Sequence, residues 1–296
     1  MPRFVRATLA LHGLLLLGLL VWPAQWPWLL ALLVANHALI TGLGLWPRST
    51  WLGSNLRRLP AASSARGEVA LTIDDGPDPA LTPRVLDLLD AAGVKATFFC
   101  IGERVQRHPE LAREILARGH ELQSHSQRHR HNFSLLGPRG CAKELEAAQR
   151  SFEQVTGVTP RLFRAPAGLR NAFLAPVLHR LGLQLVSWTA RGFDTRERDP
   201  ARVLHRLTRQ LRAGDILLLH DSNAALTLSG EPVVLAVLPE LLRRLRTAGL
   251  HPVRLGDALA LAPDAAAAKP LAAPALRRPA SPGAIASKFS PPSSTA

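Results

Sequence analysis

The chain has 296 residues, enough for one large core with material left over at both ends, and a formal net charge of +14. Residues 1–67 hold six Arg and no acid, residues 263–296 carry a net +3, and +5 is left for the middle. That distribution argues against a nucleic-acid binder, whose folded domain carries the basic footprint, and fits basic flanks held against anionic lipid. Cys100 and Cys141 form no C-x-x-C, which excludes a disulfide scaffold and a cysteine zinc cluster.

Two apolar stretches come first, 4–22 and 28–45, of 19 and 18 residues. Each is near the length that crosses a bilayer as a helix. Pro23-Ala24-Gln25-Trp26-Pro27 separates them, with Trp around the break as at a membrane interface. A cleaved signal peptide is the competing reading, but the first run is long and no small-x-small site follows it. Arg3 and Arg6 precede the first span, Arg48, Arg57 and Arg58 follow the second, and the loop between has no Lys or Arg. The positive-inside rule then places both termini, and the domain after the hairpin, on the cytoplasmic side of a bacterial-type inner membrane. The expected division is a transmembrane hairpin at 1–47, a linker at 48–67, a catalytic domain at 68–261 and a disordered Ala/Pro-rich tail at 262–296.

From 68 onward short apolar runs alternate with amphipathic helical patterns. Strands are expected at 69–74, 96–102, 121–125, 161–165, 184–188, 215–220 and 251–255. Helices are expected at 82–92, 109–118, 139–156, 171–181, 200–212 and 232–248. Seven strands with helical crossovers predict an α/β fold, a distorted seven-stranded parallel (β/α) barrel one unit short of the eightfold form.

Active residues of such barrels sit at the C-terminal ends of strands. Here those ends collect ionisable groups. The first closes in Ile73-Asp74-Asp75-Gly76-Pro77, where Gly-Pro breaks the pairing and fixes a turn. Neighbouring strand residues face opposite ways, so one Asp can meet a metal while the other meets substrate. A lone Asp-Gly-Pro also reads as a helix cap or an Asp turn. The third strand runs into His125-Ser126-Gln127-Arg128-His129, two His spaced to share a face. Two His and one carboxylate, with positions left for water and substrate, make a catalytic zinc set. The fourth strand ends in Arg164-Ala165-Pro166-Ala167-Gly168, the fifth in Trp188 with Arg191 and Asp194 beyond, the sixth in His220-Asp221. His220 reads either as a core histidine or as a general acid. Arg164 reads either as a structural ion-pair partner or as the group that orients Asp74, and the Ala167 N–H as an oxyanion donor.

Taken together, these motifs resemble those of the polysaccharide deacetylases, the family-four carbohydrate esterases, over residues 68–258. Thr72-Ile73-Asp74-Asp75-Gly76-Pro77 is similar to the family's T-F-D-D-G-P, which implies Asp74 as catalytic base and Asp75 as metal ligand. His125 to His129 resembles H-S/T-x-x-H, implying both His as ligands. Arg164 to Gly168 resembles R-x-P-x-G, whose Arg holds the base. Leu217-Leu218-Leu219-His220-Asp221 looks like the last motif, implying His220 as catalytic acid and Leu218 as lining of the acetyl pocket. The chain departs from the family pattern in three places. Arg130 stands where Pro is common, and Ala167 replaces an aromatic. The fourth motif, D-x-x-D-W, is reduced to Trp188 and Asp194. The resemblance implies a divalent metal, zinc on this ligand set, and hydrolysis of an N-acyl, most commonly N-acetyl, amino sugar in glycan or lipid-linked form. The hairpin adds membrane lipid as a partner. The broken fourth motif motivates the alternative, a catalytically impaired membrane-anchored glycan-binding protein on the same scaffold.

Overall fold

The computed structural model describes residues 2–260, so the tail expected at 262–296 lies outside the described residues. Two long helices come first, α1 (Arg3–Val21) and α2 (Trp26–Leu45), joined through a 3-10 turn at Pro23–Gln25. Proline suits these helix starts because the first-turn N–H groups have no intrahelical acceptor. Thr8–Asn36 (3.4 Å) and His12–His37 (ring centroids 5.2 Å) join the two helices near one end and Gly18 lies against Leu29 near the turn, an antiparallel order. Leu14, Leu20 and Trp28 lie more than half exposed on its outside. Both helices are long and apolar enough to cross a membrane, one or two residues displaced from the expected bounds.

A short helix α3 (Ala61–Ala65) leads into β1 (Glu68–Asp74). Then follow α4 (Thr82–Ala91), β2 (Thr97–Cys100), α5 (Gly102–Arg107), α6 (Pro109–Ala117), β3 (Glu121–Ser124), α7 (Pro138–Thr156) and β4 (Leu162–Phe163). The chain continues through α8 (Leu174–Arg180), β5 (Gln184–Leu185), β6 (Ala190–Arg191), α9 (Pro200–Thr208), β7 (Ile216–His220), α10 (Val233–Thr247), β8 (His251–Val253) and α11 (Leu255–Ala258). All pairings are parallel, in the order β5-β4-β3-β2-β1-β7-β6, with β8 also beside the start of β1.

The expected barrel is there, with one strand redistributed. Of the run expected as one strand over 184–188, only Gln184–Leu185 (β5) is strand, at one edge of the sheet, and an unexpected strand at Ala190–Arg191 (β6) forms the other edge. Four residues, Val186 to Thr189, join those edges, and so short a segment spans at most about 17 Å. The sheet must therefore curl until its edges nearly meet. Leu56 fills the seam: its N–H donates to the Leu185 carbonyl (2.9 Å) and its carbonyl accepts from Ser187 N–H (2.8 Å). Residues 48–67 connect hairpin to barrel as a linker does, but they lie packed along the barrel wall. Leu52, Leu59 and Ser63 are buried, and Arg58 pairs with Asp215 at 3.0 Å.

Strand alternation sorts the core into two layers. Val69, Leu71, Ile73, Phe98, Cys100, Leu217 and Leu219 face outward beneath α4, α6, α9 and α10. Ala70, Phe99, Leu162, Ile216 and, from α11, Leu255 plug the inside of the barrel. Burying a side chain of this size stabilises by roughly 1.5–3 kcal/mol. The inward positions above that plug, at the strands' C-terminal ends, are polar.

Candidate active site

On β1 the inward face reads Ala70, Thr72, Asp74, so the Asp74 side chain enters the barrel mouth and is 2% exposed. Asp75 would point the other way on a regular strand. Instead its backbone turns left-handed (φ 79°), which brings the second carboxylate to the rim as well. Non-glycine residues adopt this conformation at a cost of roughly 1–3 kcal/mol. Ser126, His129, Ala167, Phe193 and Asn223 share it, and each sits on a loop after a strand's C-terminal end. Gly76 is needed for a different reason: a Cβ there would collide with the Asp221 carboxylate.

Arg164 is fully buried in the barrel mouth. Its guanidinium donates to Asp74 Oδ1 (2.6 Å), to Thr72 Oγ1 (2.8 Å) and to the Ser187 carbonyl (3.2 Å), and it stacks 4.1 Å from the Phe99 ring. Burial depresses its pKa, and the charge of Asp74 works against that loss. A buried Arg whose partner is removed leaves a costly uncompensated charge, so Arg164 and Asp74 hold each other. Asp74 Oδ2 remains facing the open mouth, 3.8 Å from His125 Nε2.

His125 Nδ1 lies 2.8 Å from the Arg164 carbonyl. A carbonyl can only accept, so Nδ1 carries the hydrogen and Nε2 presents its lone pair. That Nε2 and the Nε2 of His129 are each 3.4 Å from Asp75 Oδ1. One atom from each of the three residues falls within 4.8 Å of the others. Burial depresses the pKa of His129, with His125 adding to it, to about 4, so its ring is neutral at physiological pH. Burial alone would raise the Asp75 carboxyl, but the surrounding histidines, His125 foremost with His220 and His129 behind, hold it well below the usual carboxylate range. Asp75 Oδ1 is buried with no hydrogen-bond partner among the described residues. Its other oxygen accepts a long bond (3.5 Å) from Asn223 Nδ2. The Nε2 atoms of two imidazoles and an unsatisfied carboxylate oxygen converging on one point suit a divalent cation.

His220 ends β7, next to Asp74 in register. Asp194 holds it twice, through Oδ2 to the His220 N–H (2.7 Å) and Oδ1 to Nδ1 (2.9 Å), and Asp194 itself is fully buried. Sequence separates these residues by 26 positions. The parallel register of β6 on β7, Arg191 beside Leu218, with a left-handed turn at Phe193, brings them together. Burial pulls the His220 pKa down, but the charge and hydrogen bond of Asp194, then Asp74 and Asp75, outweigh it and raise it to about 9.

Of the other expected site residues, Leu218 shares the inward face of β7 with His220 and is buried below it. Ala167 is exposed at the rim in the turn Pro166–Gly168. Trp188, 8% exposed, lies against Gly168 and within 5.9 Å of the Arg164 guanidinium. Sequence reasoning missed Thr72, which strand alternation with Asp74 could have supplied. It also missed Asn223, for which no sequence signal existed.

A polysaccharide deacetylase family model matches residues 61–186. The chain is 33% identical over 196 residues to a peptidoglycan-N-acetylglucosamine deacetylase of Bacillus cereus, covering 64% of this chain and 87% of that protein. The chain belongs to the polysaccharide deacetylase family. A chitooligosaccharide deacetylase of Bradyrhizobium is 35% identical over 167 residues, 56% of this chain and 76% of that one. Among solved structures, the Bc1960 peptidoglycan N-acetylglucosamine deacetylase superposes with a TM-score of 0.62 at 25% identity, covering 69% of this chain and 91% of that chain. The relatives named above are deacetylases, and the fold, its parallel curled sheet and the hydrolase class are shared with them.

Proposed function

We propose that the protein is a membrane-anchored, metal-dependent deacylase that hydrolyses the N-acetyl group of an amino sugar in a glycan or lipid-linked saccharide. The relatives named for deacetylation of N-acetylglucosamine in peptidoglycan and of chitooligosaccharides support the substrate class. The observation that carries the reading is the separation of the two adjacent carboxylates. Asp75 faces His125 and His129, while Asp74 is gripped by Arg164 at 2.6 Å and faces the open mouth.

Asp75, His125 and His129 would hold a divalent ion, zinc by the chemistry of the set, which when bound polarises the amide carbonyl and acidifies water. Asp74 Oδ2 takes the proton from the attacking water, while Arg164 fixes the carboxylate's aim. The Ala167 N–H stands at the rim as a donor to the developing oxyanion. His220, protonated and oriented by Asp194, delivers a proton from Nε2 to the leaving nitrogen as the C–N bond breaks. Acetate and the free amine result. Leu218 and Trp188 furnish apolar walls for the acyl group and the sugar. The catalytic domain in this reading is 68–261, the anchor 1–47, with 48–67 joining them. The alternative of a non-catalytic glycan binder rests on the reduced fourth motif, but Asp194, which that motif retains, holds His220 and so favours catalysis.

The test is amine release from an N-acetylated chitooligosaccharide, measured with bound zinc. Asp74→Asn should lower the turnover number by about 10²–10⁴ with zinc content intact. His129→Ala should lose both. An Asp74→Asn enzyme at wild-type turnover would falsify the assignment.

A further inference from the structure

A cleft of about 1090 Å³ lies along the barrel seam, away from the metal-type cluster, and seven of its eighteen lining residues are Arg. Two of these are neutralised: Arg58 by Asp215 (3.0 Å) and Arg206 by Glu197 (3.0 Å). Arg48, Arg57, Arg191, Arg209 and Arg212 have no acidic partner among the described residues. Asp215 is the one carboxylate in the lining and is already engaged. Such an excess in one concavity repels itself unless an anion enters.

Arg191 is the best prepared of the five. Its guanidinium lies 5.5 Å from the Trp188 ring centroid and 4.9 Å from that of Phe193. Stacking on aromatics fixes a guanidinium while leaving its in-plane N–H donors free, the geometry that suits phosphate. Its Nε is buried with no hydrogen-bond partner among the described residues. An unsatisfied donor in such a place points to a ligand.

The cleft's position names the source of that ligand. Trp46, Pro47 and Arg48 line it and directly follow α2, which ends at Leu45. If α2 crosses the bilayer, the cleft opens at the headgroup level, where Trp belts and basic side chains collect.

The geometry points to a binding site for the phosphate group of an anionic membrane lipid, built from Arg57, Arg191, Arg209 and Arg212 at the foot of the hairpin. This site rests on the membrane half of the proposed function and is independent of the catalytic half. It seats the barrel against the bilayer. Because Trp188 lies between Arg191 and Arg164, it also ties the occupied cleft to the wall of the catalytic mouth.

The full chain in neutral detergent micelles is heated with added phosphatidic acid, with phosphatidylcholine, or with inorganic pyrophosphate. Phosphatidic acid should raise Tm by about 5 °C at saturation, less at high salt, and phosphatidylcholine should not. An Arg57→Gln/Arg209→Gln/Arg212→Gln variant should lose the rise while still deacetylating a soluble chitooligosaccharide, which shows that it folds. Should the triple variant fail to fold, Arg209→Gln alone, at an exposed position after α9, should halve the rise. A response to phosphatidic acid, with or without one to pyrophosphate, supports the lipid site. A response to pyrophosphate alone, equal responses to both lipids, or a variant that responds like wild type overturns it. His129→Ala should keep the response, which separates the cleft from the metal-type cluster. Lipid response in a chain without deacetylase activity would sink the catalytic reading and leave this site standing.

Discussion

Asp194 accepts two hydrogen bonds from one residue, the backbone and ring N–H groups of His220, and so fixes both the position and the charge of that imidazole. In the proposed mechanism His220 must carry its proton to donate it. The protonated form persists below a pKa of about 9, so activity should hold up to that pH and fall above it. A cation among Asp75, His125 and His129 would offset part of the carboxylate contribution and bring that limb lower. Asp194→Asn keeps the shape and removes the charge that most opposes burial. The alkaline limb of the turnover number should then move down by about one pH unit or more, each unit being about 1.4 kcal/mol of lost stabilisation of the imidazolium. A pH profile superimposable on wild type would show that Asp194 does not set the acid's charge. The same scale explains what could be read in the residues alone. Asp74 and Asp75 could be told apart because strand alternation assigns adjacent residues different faces. What alternation could not supply was that Asp75 reaches the rim anyway, through a left-handed backbone.

Elements close the barrel where strands alone would not. β5 and β6 are separated by only four residues yet edge opposite sides of the sheet, and Leu56 bridges the gap with one donated and one accepted backbone bond. Nothing in 48–67 has the apolar alternation of a strand, so periodicity reads it as linker. Its pairing is tertiary, set by a gap that exists only once the sheet has curled. The helices were legible where Pro opens them and Gly follows them, as in Pro109–Ala117 before Gly119. They were misjudged where a side chain left the helix for a loop: Asn171, expected to start α8, instead donates to the Ser134 and Leu136 carbonyls, and the helix begins at Leu174. If Leu56 is a seam strand in function, Leu56→Pro should lower Tm by at least about 2–4 °C, the effect of about 1 kcal/mol for one lost backbone bond in a domain this size. Leu56→Ala keeps both backbone bonds and should cost less than the Pro change. Equal Tm values for the two variants would mean that side-chain burial, and not the seam pairing, holds this segment.

At the scale of the whole molecule, the membrane-anchored reading makes the hairpin decide which substrates the barrel can meet. The rim carrying Asp74, Asp75 and His220 belongs to a unit joined to α2 through residues packed on its wall, so the barrel cannot swing far from the helix end. The Arg170 N–H donates to the Gly44 carbonyl inside the last turn of α2 (3.1 Å), and the Arg170 side chain donates to the Ser49 carbonyl. Burial of that guanidinium lowers its pKa to about 10, still far above physiological pH, so the tie persists as a cation. Orientation of the hairpin then settles the compartment of the chemistry. The basic residues flank both outer ends of the two helices, and the connecting turn Pro23–Gln25 has none. The positive-inside bias predicts a cytoplasmic barrel. Alkaline phosphatase, which is active only outside the cytoplasm, fused after residue 260 should be inactive, and a fluorescent protein fused there should glow. Moving the bias should move the domain: Arg48→Gln, Arg57→Gln and Arg58→Gln, with two Lys inserted in the connecting turn, should give active phosphatase in a measurable fraction of molecules. An active phosphatase fusion on the unaltered hairpin would place the barrel on the outer side, and with it a substrate drawn from the cell wall in place of one presented at the cytoplasmic leaflet.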